Sequence, residues 1–205
     1  MTEATQPSPI VPVPASQVTV LRGRRVIVGV PGLGWRADLR ADEPVVHGSR
    51  TYVPVLSEQD YYRAETEQLE VFAPLVPVDR VWVEQIADRV AGETGPVTLD
   101  APPRRWPIPV ADVVSVTGRR VVQAVPDGHI RDLRAVTEVY RNAGGVECVR
   151  VCGEPEWYRW ALDGTTPSIS ELPAGLAFVR PEPWPVFASS WRRRNPFPRS
   201  PSSMW

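Results

Sequence analysis

Lysine is absent from this chain of 205 residues, and all 23 of its basic side chains are arginine. That absence excludes a Schiff-base lysine, a phosphate-cradling Walker lysine and a Ser-Lys dyad. Imidazole chemistry is limited to His47 and His129, which leaves a histidine-based site little to draw on. The only cysteines, Cys148 and Cys152, lie in the run Glu147-Cys-Val-Arg-Val-Cys. If that run is a strand, the two lie about 13 Å apart. A disulfide needs Cα atoms within about 7 Å, so they do not bridge each other. Free thiols fit a reducing, cytoplasmic setting. Two cysteines without partner ligands give no metal site, so no metal is expected.

Long apolar runs are missing too. Nothing approaches the roughly 18 residues of a membrane-spanning helix. The opening Met1-Thr2-Glu3 leads into a proline-rich stretch without the charged and apolar regions of a secretory signal. The sequence therefore predicts a cytoplasmic protein with no membrane span.

What the chain does contain is a duplication. Gly23-Arg-Arg-Val-Ile-Val-Gly-Val-Pro31 is matched by Gly118-Arg-Arg-Val-Val-Gln-Ala-Val-Pro126. Arg36-Ala-Asp-Leu-Arg-Ala41 is matched by Arg131-Asp-Leu-Arg-Ala135, and Tyr61-Tyr-Arg63 by Trp157-Tyr-Arg159. From Val53 the two copies run in register at an offset of 96, pairing Val81-Trp-Val83 with Ala177-Phe-Val179. Self-similarity at a fixed period signals repeated structural units. The expected organisation is an N-terminal tail (1–16), a first unit (17–86), a proline-rich linker (87–110), a second unit (111–182) and a basic aromatic tail (183–205). Both tails are expected to be disordered.

Within each unit, apolar and polar residues alternate with period two, as at Arg36 to Asp42, which predicts strands. Ser57, followed by acidic residues, is placed to cap a short helical turn. Four short strands, one helical turn and a fifth strand in about seventy residues resemble the ground plan of an SH3-like β-barrel. The predicted fold is therefore mainly all-β, with two tandem homologous barrel-like units. Both copies sharing one larger sheet is the alternative.

Several motifs invite a functional interpretation. Gly32-Leu-Gly34-Trp-Arg-Ala37 matches a dinucleotide fingerprint. The residues after it alternate with period two, and Pro44 would end any helix, so a glycine turn between strands fits better and no cofactor is expected. The doubled polar set comprises Arg24, Arg25, Asp38, Arg40, Glu58, Tyr62 and Arg63 in the first copy. Arg119, Arg120, Asp132, Arg134, Glu154, Tyr158 and Arg159 are its second-copy members. Such groups build either twin ligand sites or ion pairs that hold the sheet. Candidate contact residues are Trp35 at the glycine turn, Arg40, Tyr61, Tyr62 and Arg63, with Arg134, Trp157, Tyr158 and Arg159. Trp191, Arg192, Arg193 and Arg194 in the tail complete the set.

Each expected unit carries 8 arginines against 10 acids, and 183–205 carries +4. The bulk of the protein thus offers no basic footprint for nucleic acid. The leading expectation is a non-catalytic adaptor that binds a protein partner through its tandem β-modules. Alternatives are single-stranded nucleic-acid binding through the tail, and an enzyme whose site lies between the repeats, where Asp38, Glu58 and Arg63 would converge with their counterparts.

Overall fold

A computed structural model describes residues 8–31, 34–86, 101–126 and 128–181. The first unit contains β1 (Ile10–Pro14), β2 (Arg25–Val30), β3 (Gly34–Ala41), β4 (Val45–His47), β5 (Arg50–Ser57), α1 (Glu58–Glu67), β6 (Leu75–Pro77) and β7 (Val81–Ile86). The second contains β8 (Ile108–Pro109), β9 (Arg120–Val125), β10 (Gly128–Ala135), β11 (Tyr140–Arg141), β12 (Glu147–Gly153), α2 (Glu154–Asp163), β13 (Ser170–Pro173) and β14 (Ala177–Val179).

Each unit is one curled antiparallel sheet. The order β7-β2-β3-β5-β6 in the first recurs as β14-β9-β10-β12-β13 in the second. In both, the last strand returns to pair with the first strand of the meander, and a 3-10 turn precedes it (78–80 and 174–176). The duplication predicted a barrel-like β-unit made twice, and a curled half-barrel is indeed built twice. Further 3-10 turns at 15–17 and 110–112 open the units, and all four turns follow a proline: Pro14, Pro77, Pro109 and Pro173. Proline fixes φ and removes an N–H, which suits the entry to such a turn.

The inward face of each sheet is aliphatic. Leu21, Val26, Leu39, Val53, Val55 and Val83 form one core. Val116, Val121, Leu133, Val149, Val151 and Val179 occupy the corresponding places in the other. Residues at the 96 offset thus take equivalent positions, as Val53 and Val149 do.

Some boundaries differ from expectation. The stretch 1–16 is not wholly tail. Ile10 to Pro14 pair along β7 from Ile86 to Trp82, and Ala15 is buried. The linker's last residues belong to the folded body as well. Arg105 bridges to Ile10, β8 pairs with β14, and Val110 is core. It is Arg105 that is held between the units, while Trp106 is half exposed.

The expected helical turn is a ten-residue helix in each unit. Ser57 accepts from the Asp60 N–H at 3.1 Å, as its sequence context predicts, and Gln68 ends α1 in the left-handed conformation. Pro155 in the first turn of α2 costs no hydrogen bond, because N–H groups there have no helical partner.

Candidate functional site

Of the doubled polar residues, Arg24, Arg63 and Arg159 face solvent. Arg25, Asp38, Arg40, Glu58 and Tyr62 meet Arg120, Asp132, Arg134, Glu154 and Tyr158 where the two units join. Three local features aim them there. Arg25 and Arg40 are paired across β2 and β3, as Arg120 and Arg134 are across β9 and β10. Glu58 and Glu154 are the first residues of α1 and α2. Asp38 and Asp132 sit at irregularities in β3 and β10 with φ of 62° and 59°. Asp is among the few non-glycine residues that accept this left-handed conformation. The resulting break in alternation was invisible to a period-two count.

The contacts are reciprocal. Glu58 accepts from Arg25 Nε at 2.7 Å within its own unit, and across the junction from Arg120 Nη2 at 2.5 Å, Arg134 Nη2 at 3.2 Å and the Tyr158 hydroxyl at 3.2 Å. Glu154 accepts from Arg25 Nη2, from Arg40 Nη2 at 2.9 Å and from the Tyr62 hydroxyl at 3.4 Å. Asp38 accepts from Arg120, and Asp132 from Arg25 at 3.0 Å. Tyr62 and Tyr158 stack on each other, centroids 5.1 Å apart. Residue i touching j′ while j touches i′ is the signature of a two-fold, isologous interface, here within one chain.

Arg25, Arg40, Arg120 and Arg134 balance Asp38, Asp132, Glu58 and Glu154, so the cluster is formally neutral. Glu58 and Glu154 are 1% and 0% exposed. Burial pushes the Glu58 carboxyl up, but Arg120, Arg25, Arg134 and Arg40 outweigh it and hold the group well below the usual carboxylate range. Burial likewise raises the Tyr62 and Tyr158 hydroxyls above their ordinary value. The charges of the cluster are matched by one another, but not every polar atom is hydrogen-bonded. Arg25 Nη1 has no hydrogen-bond partner among the described residues, and Arg40 Nε, Arg120 Nε and Arg134 Nε meet carboxylates only through ion contacts of 3.2–3.3 Å. No open acid–base pair results, and the region beside the stacked rings is a shallow groove edged by Gln59, Arg63, Thr66, Arg159 and Leu162.

A second ionic contact lies alongside. Glu84 accepts from Arg105 and from Arg180 Nη2 at 2.8 Å, and Arg105 donates to the Pro181 carbonyl at 2.7 Å. Ile10, Ile86 and Val122 pack beside them, joining the units through an apolar contact. Burial raises the Glu84 carboxyl, but Arg180 and Arg105 overcome it and bring it to about 2. Sequence reasoning missed this trio. Its one signal was that the 96 offset sets Glu84 against Arg180, opposite charges at matched positions.

The remaining candidate residues scatter. Trp35 is not an exposed anchor; it is half-buried, its ring lying over Gly29. Tyr61 is half-buried, edge-on to Tyr62 at 5.5 Å. Trp157 is buried. Arg63 is exposed and pairs with Glu67, and Arg159 is exposed. These rings do not form one contiguous exposed surface. Trp191 and Arg192 to Arg194 lie outside the described residues. Among the described residues no group of side chains is arranged to hold a metal ion, and no helix is long and apolar enough to cross a membrane. Both cysteines are free and buried.

The units differ on their outward sheet faces. In the first, register places Val45 beside Tyr52, Tyr52 beside Pro77, and Pro54 beside Leu75. Leu75 is 50% exposed and Val45 40%. In the second, the same places hold Tyr140, Cys148, Pro173, Arg150 and Glu171. There Glu171 accepts from Tyr140 and from Asn142 at 2.9 Å, and Arg150 donates to Tyr140 at 3.1 Å. One face is apolar and open, while its twin is closed by its own polar network.

Comparison with protein-family models, curated proteins and solved structures yields no match.

Proposed function

We propose that this is a non-catalytic interaction protein that engages a protein partner through the outward face of its first β-unit. The observation that carries this reading is the contrast between twin faces. A solvated sheet face is normally polar, and the second unit supplies that state as an internal control. Open apolar surface retained at only one of two equivalent places fits a contact surface. The mutual neutralisation of the buried carboxylates and guanidiniums supports a structural role for them over a catalytic one. Two buried, unpaired thiols in one strand fit the reducing cytoplasm.

The test transfers the second unit's charges to the first. Full-length protein and the P54R/L75E variant would be used as baits under identical conditions. A partner held by the wild type and lost by the variant is the expected result. Equal retention of every partner by both, or turnover in a broad activity screen, would overturn the proposal.

A further inference from the structure

Building on the reading of that face as a docking surface, we propose that it is occupied by the chain's own residues 182–205, which a partner must displace. Chemistry and reach support this occupant. After Glu182 the segment has no acid and carries Arg192, Arg193, Arg194 and Arg199, with Trp184, Phe187, Trp191, Phe197 and Trp205 spaced among prolines. The first unit offers apolar Val45, Tyr52, Pro54 and Leu75. The first unit also carries exposed Glu65 on α1 and exposed Glu70 in the segment that leads to β6, where the second unit has Ala161 and Thr166. Rings and prolines match the apolar face, and arginines match the acidic side chains. Proline-rich segments lack donors for strand addition and favour docking by their side chains.

The segment also starts close at hand. The Pro181 carbonyl is held by Arg105, which bridges to Ile10 and pairs with Glu84, both in the first unit. Twenty-four residues reach about 80 Å when extended. A compact chain of this size has a radius of gyration of about 17 Å. Any face of the first unit is therefore accessible with chain to spare.

Trypsin cleavage at Arg192 to Arg194 in the full chain tests the proposal, with fragments identified by mass spectrometry. P54R/L75E should be cut there faster than wild type, by about five-fold or more, because cleavage follows the population of the released state. The wild-type rate should not depend on protein concentration. Equal rates in wild type and variant would overturn self-occupation. Protection that grows with concentration would also overturn it, showing a second copy on the face instead. Leu75→Gln, a milder change at a half-exposed site, repeats the test if the double variant melts early. A partner lost by P54R/L75E while tail cleavage stays unchanged would sink this inference alone and leave the docking face standing.

Discussion

Glu84 and Arg180 occupy the same place in their respective units, 96 residues apart, and bond to each other at 2.8 Å. In a two-fold arrangement such a position lies near the axis and meets its own twin. Identical charges there would repel, whereas a fused pair is free to become Glu in one copy and Arg in the other. Tyr62 and Tyr158, also twins, meet at the junction without needing to differ, because two rings stack favourably. The junction is thus a dimer interface made within one chain.

Removing one partner of a buried ion pair leaves the others uncompensated, at a cost of about 3–5 kcal/mol. Glu84→Gln strands both Arg105 and Arg180 and should lower the urea midpoint accordingly. The charge swap E84R/R180E should recover only part of that loss, since Arg105 would then face an arginine.

Glu58 and Tyr158 share a hydrogen bond at 3.2 Å across the junction. Glu58→Gln should cost about 3–5 kcal/mol, and Tyr158→Phe about 1 kcal/mol. Their double variant should lose less than the sum, because the hydroxyl has no charged acceptor once Glu58 is gone. A double-mutant cycle by chemical denaturation reads this directly.

Acid should weaken the junction over a defined range. Glu84 in the folded protein titrates at about 2, and Glu58 is also held well below the usual range, whereas an unfolded glutamate titrates near 4.3. A depressed folded pKa means the folded state favours the charged form. The stabilisation is complete above the unfolded value and drains away as pH falls from there toward about 2. Urea midpoints at descending pH should fall through this range, and the Glu84→Gln variant should show a shallower slope.

Both thiols should be silent in the native state. Burial raises the Cys152 thiol to about 11, and burial also raises Cys148. A colorimetric thiol reagent at pH 8 should report negligible fast reaction with folded protein, and both cysteines after unfolding in urea.

Much of the fold was legible in the chain. Matched blocks located the twin sheets, alternation located β3 and β5, and Ser57 before acidic residues located the start of α1. The length of the helices was not legible, because neither ten-residue stretch is long enough for a helical period to stand out from a single turn. Nor was β1, whose prolines read as disorder until β7 supplied a partner strand. The candidate site was half legible. Its residue types stood out because they occurred twice, yet their pairing did not. Arg25 reaches carboxylates 107 and 129 residues away, a separation that no local pattern encodes.

Sequence alone determined that one β-unit is made twice and which polar residues both copies carry, because repetition and period are properties of a linear string. Tertiary structure alone decided that Arg25, Arg40, Glu58, Tyr62 and their counterparts join the units to each other, that Asp38 and Asp132 adopt left-handed backbone to reach across, and that one outward sheet face is apolar where its twin is polar. Charge pairing and burial depend on distances in space, which are set only once the two sheets have packed together.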